Sequence, residues 1–448
     1  MTSIDLSVAP AKTGAGYRML QRVVAVRPDE VRAVLWCWLY IFAVLSSYYI
    51  MRPIRDQMGI AGGVKNLPWL FAGTLAGMVL LNIPFAWLVK KLPRSRFIPL
   101  TYRFFAVNIL MFAVALHVAS PEQTIWVGRV FFIWVSVYNL FVVSVFWQLN
   151  VDLFSPEQGK RLFGFIAAGA TLGALFGASI TATLALYVSP IFLLIGAALL
   201  LEVAVFAVSR LAKLSPSLQR TPREHEKAQN DQRKGDERPV GGSVFAGMLH
   251  ALGSPYLLSV GAFLLLYSIT STFAYFQQQD IVSLAIKEPG AQTAFLASID
   301  VGVNSLALFV QLFLTGRVVT ILGVSLALAL LPVLTMAGFA GLAFAPSLGI
   351  VALFQVIRRA TDYAITRPVR EVIYTVVSRE DRYKAKGFID TFVYRVGDQI
   401  GAWSAPLLMA LSSWAAPLAA IAVAAAWFIN ALWLGQRQQK LEAASTHS

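Results

Sequence analysis

The residues best suited to chemistry are charged side chains set inside otherwise apolar runs. Arg358 and Arg359 fall midway along one such run, near 347–366, with Asp362 one helical turn beyond Arg358 and Arg367, Arg370 and Glu371 further on. Ionisable groups are expensive inside a membrane span and mark functional positions by default. Adjacent arginines on a helix point about 100° apart, so one carboxylate cannot neutralise both. The i, i+4 spacing of Arg358 and Asp362 permits an internal ion pair that locks the helix to a neighbour. Alternatively, an arginine left unpaired holds an anion, because planar guanidinium grips carboxylate or phosphate through two parallel hydrogen bonds. The anion reading is the favoured one.

The following run places Lys386 and Asp390 at i, i+4 and Arg395 and Asp398 at i, i+3, spacings that allow salt bridges on one helix face. Arg395 and Asp398 lie deep enough to need partners, and structural and functional pairing remain equally open. The first run ends Tyr48-Tyr49-Ile50-Met51-Arg52-Pro53-Ile54-Arg55-Asp56, where the proline is expected to break or kink the helix and present Arg55 and Asp56 at a cavity mouth. Ordinary snorkelling from a helix end is the alternative. Asp300 is a lone acid in mid-run, with Asn304 one turn along and Gln311 further down. It is either a proton-coupling group or the counter-charge of Arg359 or Arg395. The candidate substrate ligands are thus Arg55, Arg358, Arg359, Lys386 and Arg395, and the candidate coupling or gating charges Asp56, Asp300, Asp362, Asp390 and Asp398. Arg129 and Glu202, read as nearer the ends of their runs, receive no role.

The sequence argues against catalysis. One cysteine, Cys37, and four scattered histidines offer no metal set, and no Ser/His/Asp arrangement, P-loop or dinucleotide fingerprint occurs. Neither enzyme activity nor a cofactor or metal is expected. Gly169, Gly173 and Gly177 form a small-residue face suited to close helix packing, expected where two halves of the molecule approach.

The elements that must position these charges are transmembrane helices. Of 448 residues, 57% are hydrophobic and 13% charged, the composition of a polytopic membrane protein. Apolar runs fall near 31–51, 67–89, 97–119, 125–150, 164–188 and 190–209, then near 254–276, 291–315, 318–343, 347–366, 387–411 and 415–435. The chain also repeats itself: Ser155-Pro-Glu…Gly164-Phe165-Ile166 is echoed, 223 residues on, by Ser378-Arg-Glu…Gly387-Phe388-Ile389. A register shared at half the chain length indicates duplication. In small residues the first copy reads as built for close packing; with Asp390, Arg395 and Asp398, the second reads as built for chemistry. The expected division is a polar tail over 1–30, a six-helix bundle over 31–210, a solvated linker over 211–250, a second bundle over 251–436 and a tail over 437–448.

The net charge of +14 reflects basic loops on one side rather than a nucleic-acid partner. The tail before the first run, the linker and the 367–386 segment share that side, so both termini are expected in the cytoplasm of a multi-pass inner (plasma) membrane protein, without a cleavable signal. Twelve spans in two repeated halves describe an all-α, major-facilitator-type architecture with substrate held between the halves.

At the charged positions the chain resembles the ATP/ADP translocase (nucleotide transporter) family of intracellular bacteria and plastids. Met51-Arg52-Pro53-Ile54-Arg55-Asp56 is similar to the family's Leu-Arg-Asp-Thr-Lys-Asp, and Lys160-Arg161-Leu162-Phe163-Gly164 loosely to its Lys-Arg-Phe-Tyr-Pro. Thr361-Asp362-Tyr363 with Pro368, Arg370-Glu371 and Tyr374 resembles Thr-Lys-Tyr…Pro-x-Lys-Glu-x-x-Tyr, and Lys386-Gly387-Phe388-Ile389-Asp390 resembles Lys-Ala-Ala-Ile-Asp. Asp362 stands where the family has a lysine, and Arg367 where it has an aspartate. The resemblance implies an anionic, phosphorylated or nucleotide-like solute, with a coupling ion or counter-substrate. The expected function is secondary transport by rocking of two bundles in the lipid bilayer. The alternative is a transporter-like sensor or partner-binding subunit that does not transport.

Overall fold

A computed structural model describes residues 25–92, 94–218, 253–377 and 385–446. The expected tail over 1–30 lies outside these residues except for its last six, as do most of the linker and the Ser378–Lys384 part of the repeat. All regular elements among the described residues are helical. The first half comprises α1 (Val31–Ala61), α2 (Leu67–Lys91), α3 (Arg94–Val118), α4 (Pro121–Leu153), α5 (Pro156–Leu184) and α6 (Pro190–Leu218). The second comprises α7 (Pro255–Ala285), α8 (Pro289–Phe313), α9 (Thr315–Phe344), α10, α11 and α12 (Ala415–Thr446). α10 runs through Leu348–Thr361, a π-helical turn at Asp362–Thr366 and Arg367–Ile373. α11 passes through a second π-helical turn, Ile389–Val393, into Tyr394–Leu411.

Ten of these helices, α1–α9 and α12, are long and apolar enough to cross a membrane. The other two, α10 and α11, are interrupted by π-helical turns and carry the charges that lower their hydropathy. The sequence therefore spends its polarity on these two spans, where a bundle interior can compensate it.

Helix starts follow local chemistry. Proline at the first position of α4, α5, α7 and α8 needs no N–H partner there, and Ser120 and Ser155 close capping boxes with Gln123 and Gln158. Glu30, fully buried just before α1, accepts from the Arg27 amide (2.9 Å), Gln158 (2.9 Å) and Arg161 (2.8 Å) and so ties the start of α1 to that of α5. Burial opposes ionisation of this carboxyl, but the hydrogen bonds from Arg161, Arg27 and Gln158 outweigh it and hold it below the ordinary range.

Two expectations are corrected by the packing. α1 does not end at Pro53 but continues to Ala61, so Arg52, Arg55 and Asp56 lie inside the bundle rather than at its mouth. The glycines of α5 do not face the second half. A Cβ at Gly173 or Gly177 would collide with the carbonyl oxygens of Phe42 and Ser46 on α1, so this face joins two helices of one half. Close approach lets the Ser46 hydroxyl donate both to its own Phe42 carbonyl (2.7 Å) and to the Gly173 carbonyl (3.0 Å).

The halves meet instead through α5 and α1 against α8, and α2 against α11. Away from the termini the meeting is tight: Ile60, Val282 and Leu296 form one apolar cluster, and Trp69 and Trp403 stack edge-on at 4.9 Å. Leu67, Leu70 and Phe132 join Ile269, Phe273 and Phe276 in a second. That end is closed.

Candidate solute-binding cleft

Between the halves, toward the end that bears the start of α1, lies a cavity of about 630 Å³. Its first-half wall comes from α2 (Leu75, Met78, Val79, Asn82, Phe85) and α4 (Leu140, Phe141, Ser144, Gln148). Its second-half wall comes from α7 (Leu264, Tyr267), α10 (Arg367, Arg370) and α11 (Asp390, Thr391, Tyr394, Arg395). A deeper cavity of about 280 Å³ shares Leu75, Met78, Tyr394 and Arg395 with it and adds Arg52, Arg55, Ser136, Tyr275 and Asp398. The shared residues make the two one cleft. Five arginines line it against two aspartates, Asp390 and Asp398.

Among the sequence candidates, Arg55, Arg395, Asp390 and Asp398 line this cleft. Arg55 binds Asp56 Oδ1 through Nη2 (2.6 Å) and Nε (3.0 Å) and packs its guanidinium 5.0 Å from the Phe132 ring. The Tyr275 hydroxyl of the other half donates to the same Asp56 oxygen at 3.0 Å. Arg395 Nη1 lies 2.9 Å from Asp398 Oδ2, while Asp398 Oδ1 accepts from Ser268 (2.7 Å) and Thr272 (3.4 Å) on α7. The i, i+3 pairing read from sequence is therefore present, with Asp398 buried and Arg395 a third exposed toward the cavity.

Asp300 is the shared carboxylate between the halves. Its Oδ1 stands 3.1 Å from Arg52 Nη1 of α1 and 2.7 Å from Arg359 Nη2 of α10, the latter a charge contact without hydrogen-bond alignment. This realises the counter-charge alternative for Arg359 and adds Arg52, which is not among the candidates that the sequence singles out. The continuation of α1 past Pro53 is what places Arg52, its guanidinium 5.6 Å from the Tyr49 ring centre, on a buried helix.

Two intrahelical pairs are not as the spacing suggested. Asp362 pairs with Arg367 (Nε–Oδ2 3.0 Å), not with Arg358, and also accepts from the Tyr267 hydroxyl at 2.9 Å. The π-helical turn beginning at Asp362 brings a residue five positions on over it, which an α-helical count cannot anticipate. Arg358, 3% exposed, instead donates to Ser271 and lies 5.6 Å from the Tyr267 ring centre; no carboxylate pairs with it among the described residues. Likewise Lys386 bonds Glu371 of α10 rather than Asp390, whose Oδ1 has no hydrogen-bond partner among the described residues. The second π-helical turn starts immediately before Asp390. Arg367 and Arg370, noted only as an extension of the Arg358 cluster, are the α10 side chains that reach the cavity.

Counting the interior groups on α1, α8, α10 and α11, seven arginines (52, 55, 358, 359, 367, 370, 395) face five aspartates (56, 300, 362, 390, 398). An excess of two positive charges around a cleft with apolar walls attracts anions, because such walls focus the field into the cleft.

The chain is similar to known membrane carriers. ADP,ATP carrier protein 1 of Chlamydia trachomatis is 20% identical over 84% of this chain and 82% of its own length, and that of Chlamydia muridarum is equally similar. Among solved structures, a POT family transporter in complex with 5-aminolevulinic acid superposes with a TM-score of 0.58 at 12% identity, covering 92% of this chain and 96% of that one. A bacterial homologue of the lysosomal transporter Spinster, solved inward-facing and unoccupied, gives 0.52 at 15% identity over 92% and 99% of the chains. These likenesses show the fold. The family model for the Major Facilitator Superfamily matches residues 39–357, and the chain is a multi-pass membrane protein belonging to that superfamily.

Proposed function

We propose that this protein is a secondary transporter that moves an anionic, phosphorylated or nucleotide-like solute by alternating access of its two bundles. The observation that carries the reading is the cleft between the halves, lined by Arg52, Arg55, Arg367, Arg370 and Arg395 against two aspartates. Arg367, Arg370 and Arg395 lie on one wall within a single cavity, and guanidinium suits the bidentate recognition of phosphate oxygens. The carboxylates bound to these arginines act as place-holders: a solute anion that enters takes over Arg395 from Asp398 or Arg367 from Asp362. Asp300, with Arg52 on one half and Arg359 on the other, and Asp56, bound by Tyr275 from across the interface, serve as gating contacts that break when the closed end opens. Two six-helix bundles, α1–α6 and α7–α12, rock about that interface; α6 continues to Leu218 and α12 to Thr446, past the ends at 210 and 436 expected from the sequence. The side bearing both termini is cytoplasmic in the inner membrane, in keeping with the basic residues gathered there.

The 20%-identical Chlamydia relatives, named as ADP,ATP carriers, make ATP the first solute to try. Labelled ATP uptake into proteoliposomes, with and without internal ADP, is measured for the wild type and for Arg395→Gln and Arg395→Lys. Uptake stimulated by internal ADP, lowered about tenfold in Arg395→Gln and partly restored in Arg395→Lys, supports nucleotide exchange and the cleft together. No ATP uptake by correctly folded protein removes the nucleotide. Uptake indifferent to Arg395 removes the site.

A further inference from the structure

One charged pair lies where no charge belongs. Arg103 on α3 and Glu202 on α6 sit on the outer surface of the first half, their side chains 62% and 48% exposed. The sequence reading, which ended this run at 209, put Glu202 near a span end; α6 continues to Leu218, which brings Glu202 toward the helix centre. At 1.5 Å per residue Arg103 lies about 9 Å past Phe97, where the apolar span of α3 begins, and Glu202 about 18 Å past Pro190, both inside a hydrocarbon layer of about 30 Å. Their neighbours at one-turn spacing are exposed apolar side chains, Leu100 and Val107 on α3 and Leu199 and Phe206 on α6, and the adjacent Phe104 and Val203 are exposed as well.

The pair is poorly satisfied within the chain. A single Nε–Oε1 contact of 3.5 Å joins them, with no aligned hydrogen bond to either among the described residues. The duplicated architecture supplies a control. The corresponding helices of the second half, α9 and α12, pack side by side in the same manner and carry no charged residue over 318–344 or 415–435. The fold itself therefore does not need charges there, and lipid would disfavour them.

We propose that the α3/α6 face is the interface through which a second copy of this chain associates in the membrane. The two side chains are opposite in sign and adjacent, so the patch is self-complementary: a two-fold axis between copies sets Arg103 of each against Glu202 of the other. Four charges then close a neutral ring away from lipid, with two arginines using donors that the single contact leaves idle. The two stripes, each with its charge between exposed apolar residues, supply packing around the ring.

The test uses the full-length chain in membranes. Leu199→Cys provides a cross-linking handle at the face, Leu326→Cys an equally outward handle on α9, and the native Cys37 is buried. Cross-linked dimer is expected at L199C and not at L326C. In the L199C background, R103E gives a patch of acids and E202R a patch of bases; each chain alone should lose the dimer band about tenfold, and the two co-expressed should regain it, equivalent to about 1.4 kcal/mol per tenfold. R103L/E202L removes both charges without a repulsive pair. It should stay monodisperse and show the same loss, which separates weakened association from misfolding. No dimer at L199C, equal bands at L199C and L326C, or dimer undiminished in R103L/E202L would overturn the proposal.

Discussion

α5 lies on α1 and α11 lies on α7 by the same device, yet only the second crossing sets a charged residue beside its glycines, Asp398 next to Gly397. In the first, Gly173 and Gly177 sit against the carbonyls of Phe42 and Ser46; in the second, Gly397 and Gly401 sit 2.9 Å and 3.1 Å, measured from a notional Cβ, from those of Leu265 and Ile269. Leu265 and Ile269 follow Phe42 and Ser46 by 223 residues, the offset that also relates Ile389 to Ile166, whereas Gly397 and Gly401 follow Gly173 and Gly177 by 224. The extra residue falls within the π-helical turn Ile389–Val393. A turn closed by i→i+5 hydrogen bonds absorbs one inserted residue without ending the helix. Duplication thus kept the crossing as scaffold. The insertion changed which side chains approach the cleft before it, and Asp398 stands where the first half has Ala174.

The sharpest way to break this comparison is to spoil the crossing itself. Gly177→Leu forces a side chain into a backbone carbonyl that cannot step aside, and is expected to cost more than about 3 kcal/mol, enough to abolish a monodisperse species. Gly401→Leu first meets the Thr272 side chain, 2.7 Å from the notional Cβ, and should cost less. Thermal unfolding in detergent reads both. Equal losses would mean that the two crossings are equally tight and that the π turn has not loosened the second.

A smaller effect on stability and a larger one on uptake should follow from removing the inserted residue. Deletion of Thr391 restores the offset of the first half while leaving Gly397 and Gly401 in place on α7. It turns Lys386 and Asp390 by about 100° relative to the cavity. Anion uptake is expected to fall about tenfold with the protein still monodisperse, since solute binding at an arginine wall is sensitive to where the neighbouring acid points. Uptake unchanged by the deletion would make the π turn a relic of packing.

Much of this was legible in the sequence, and the reasons for what was not are local. The helix pattern, the duplication and the membrane class follow from hydropathy and repeat register, which depend on many residues at once. The i, i+3 pair of Arg395 and Asp398 follows a helix rule that holds because that stretch is a regular α-helix. The same rule failed for Arg358–Asp362 and Lys386–Asp390, each of which abuts a π-helical turn. Pro53 misled because a buried helix can keep a proline when its neighbours replace the lost hydrogen bond. The destination of the α5 glycines was beyond reach: a small-residue face announces close approach, never the partner.

The smallest effect tests the other end of the same two crossings. Glu30 fastens α1 to α5 through Arg161 and Gln158, and the residue 223 positions on, before α7, is Gly253, so the second crossing lacks this carboxylate. Because the folded pKa of Glu30 lies below its ordinary value of 4.5, its contribution is fully present above that value and is lost as pH falls through the folded pKa. Glu30→Gln keeps the shape and part of the hydrogen bonding, and Arg161 is partly solvated, so about 1 kcal/mol is at stake at pH 7. The unfolding midpoint of the variant should lie a little below that of the wild type at neutral pH, and the gap should close as the pH is lowered past 4.5. A gap that persists in acid would show that the charge of Glu30 does not fasten α1 to α5, and would remove this electrostatic difference between the crossings.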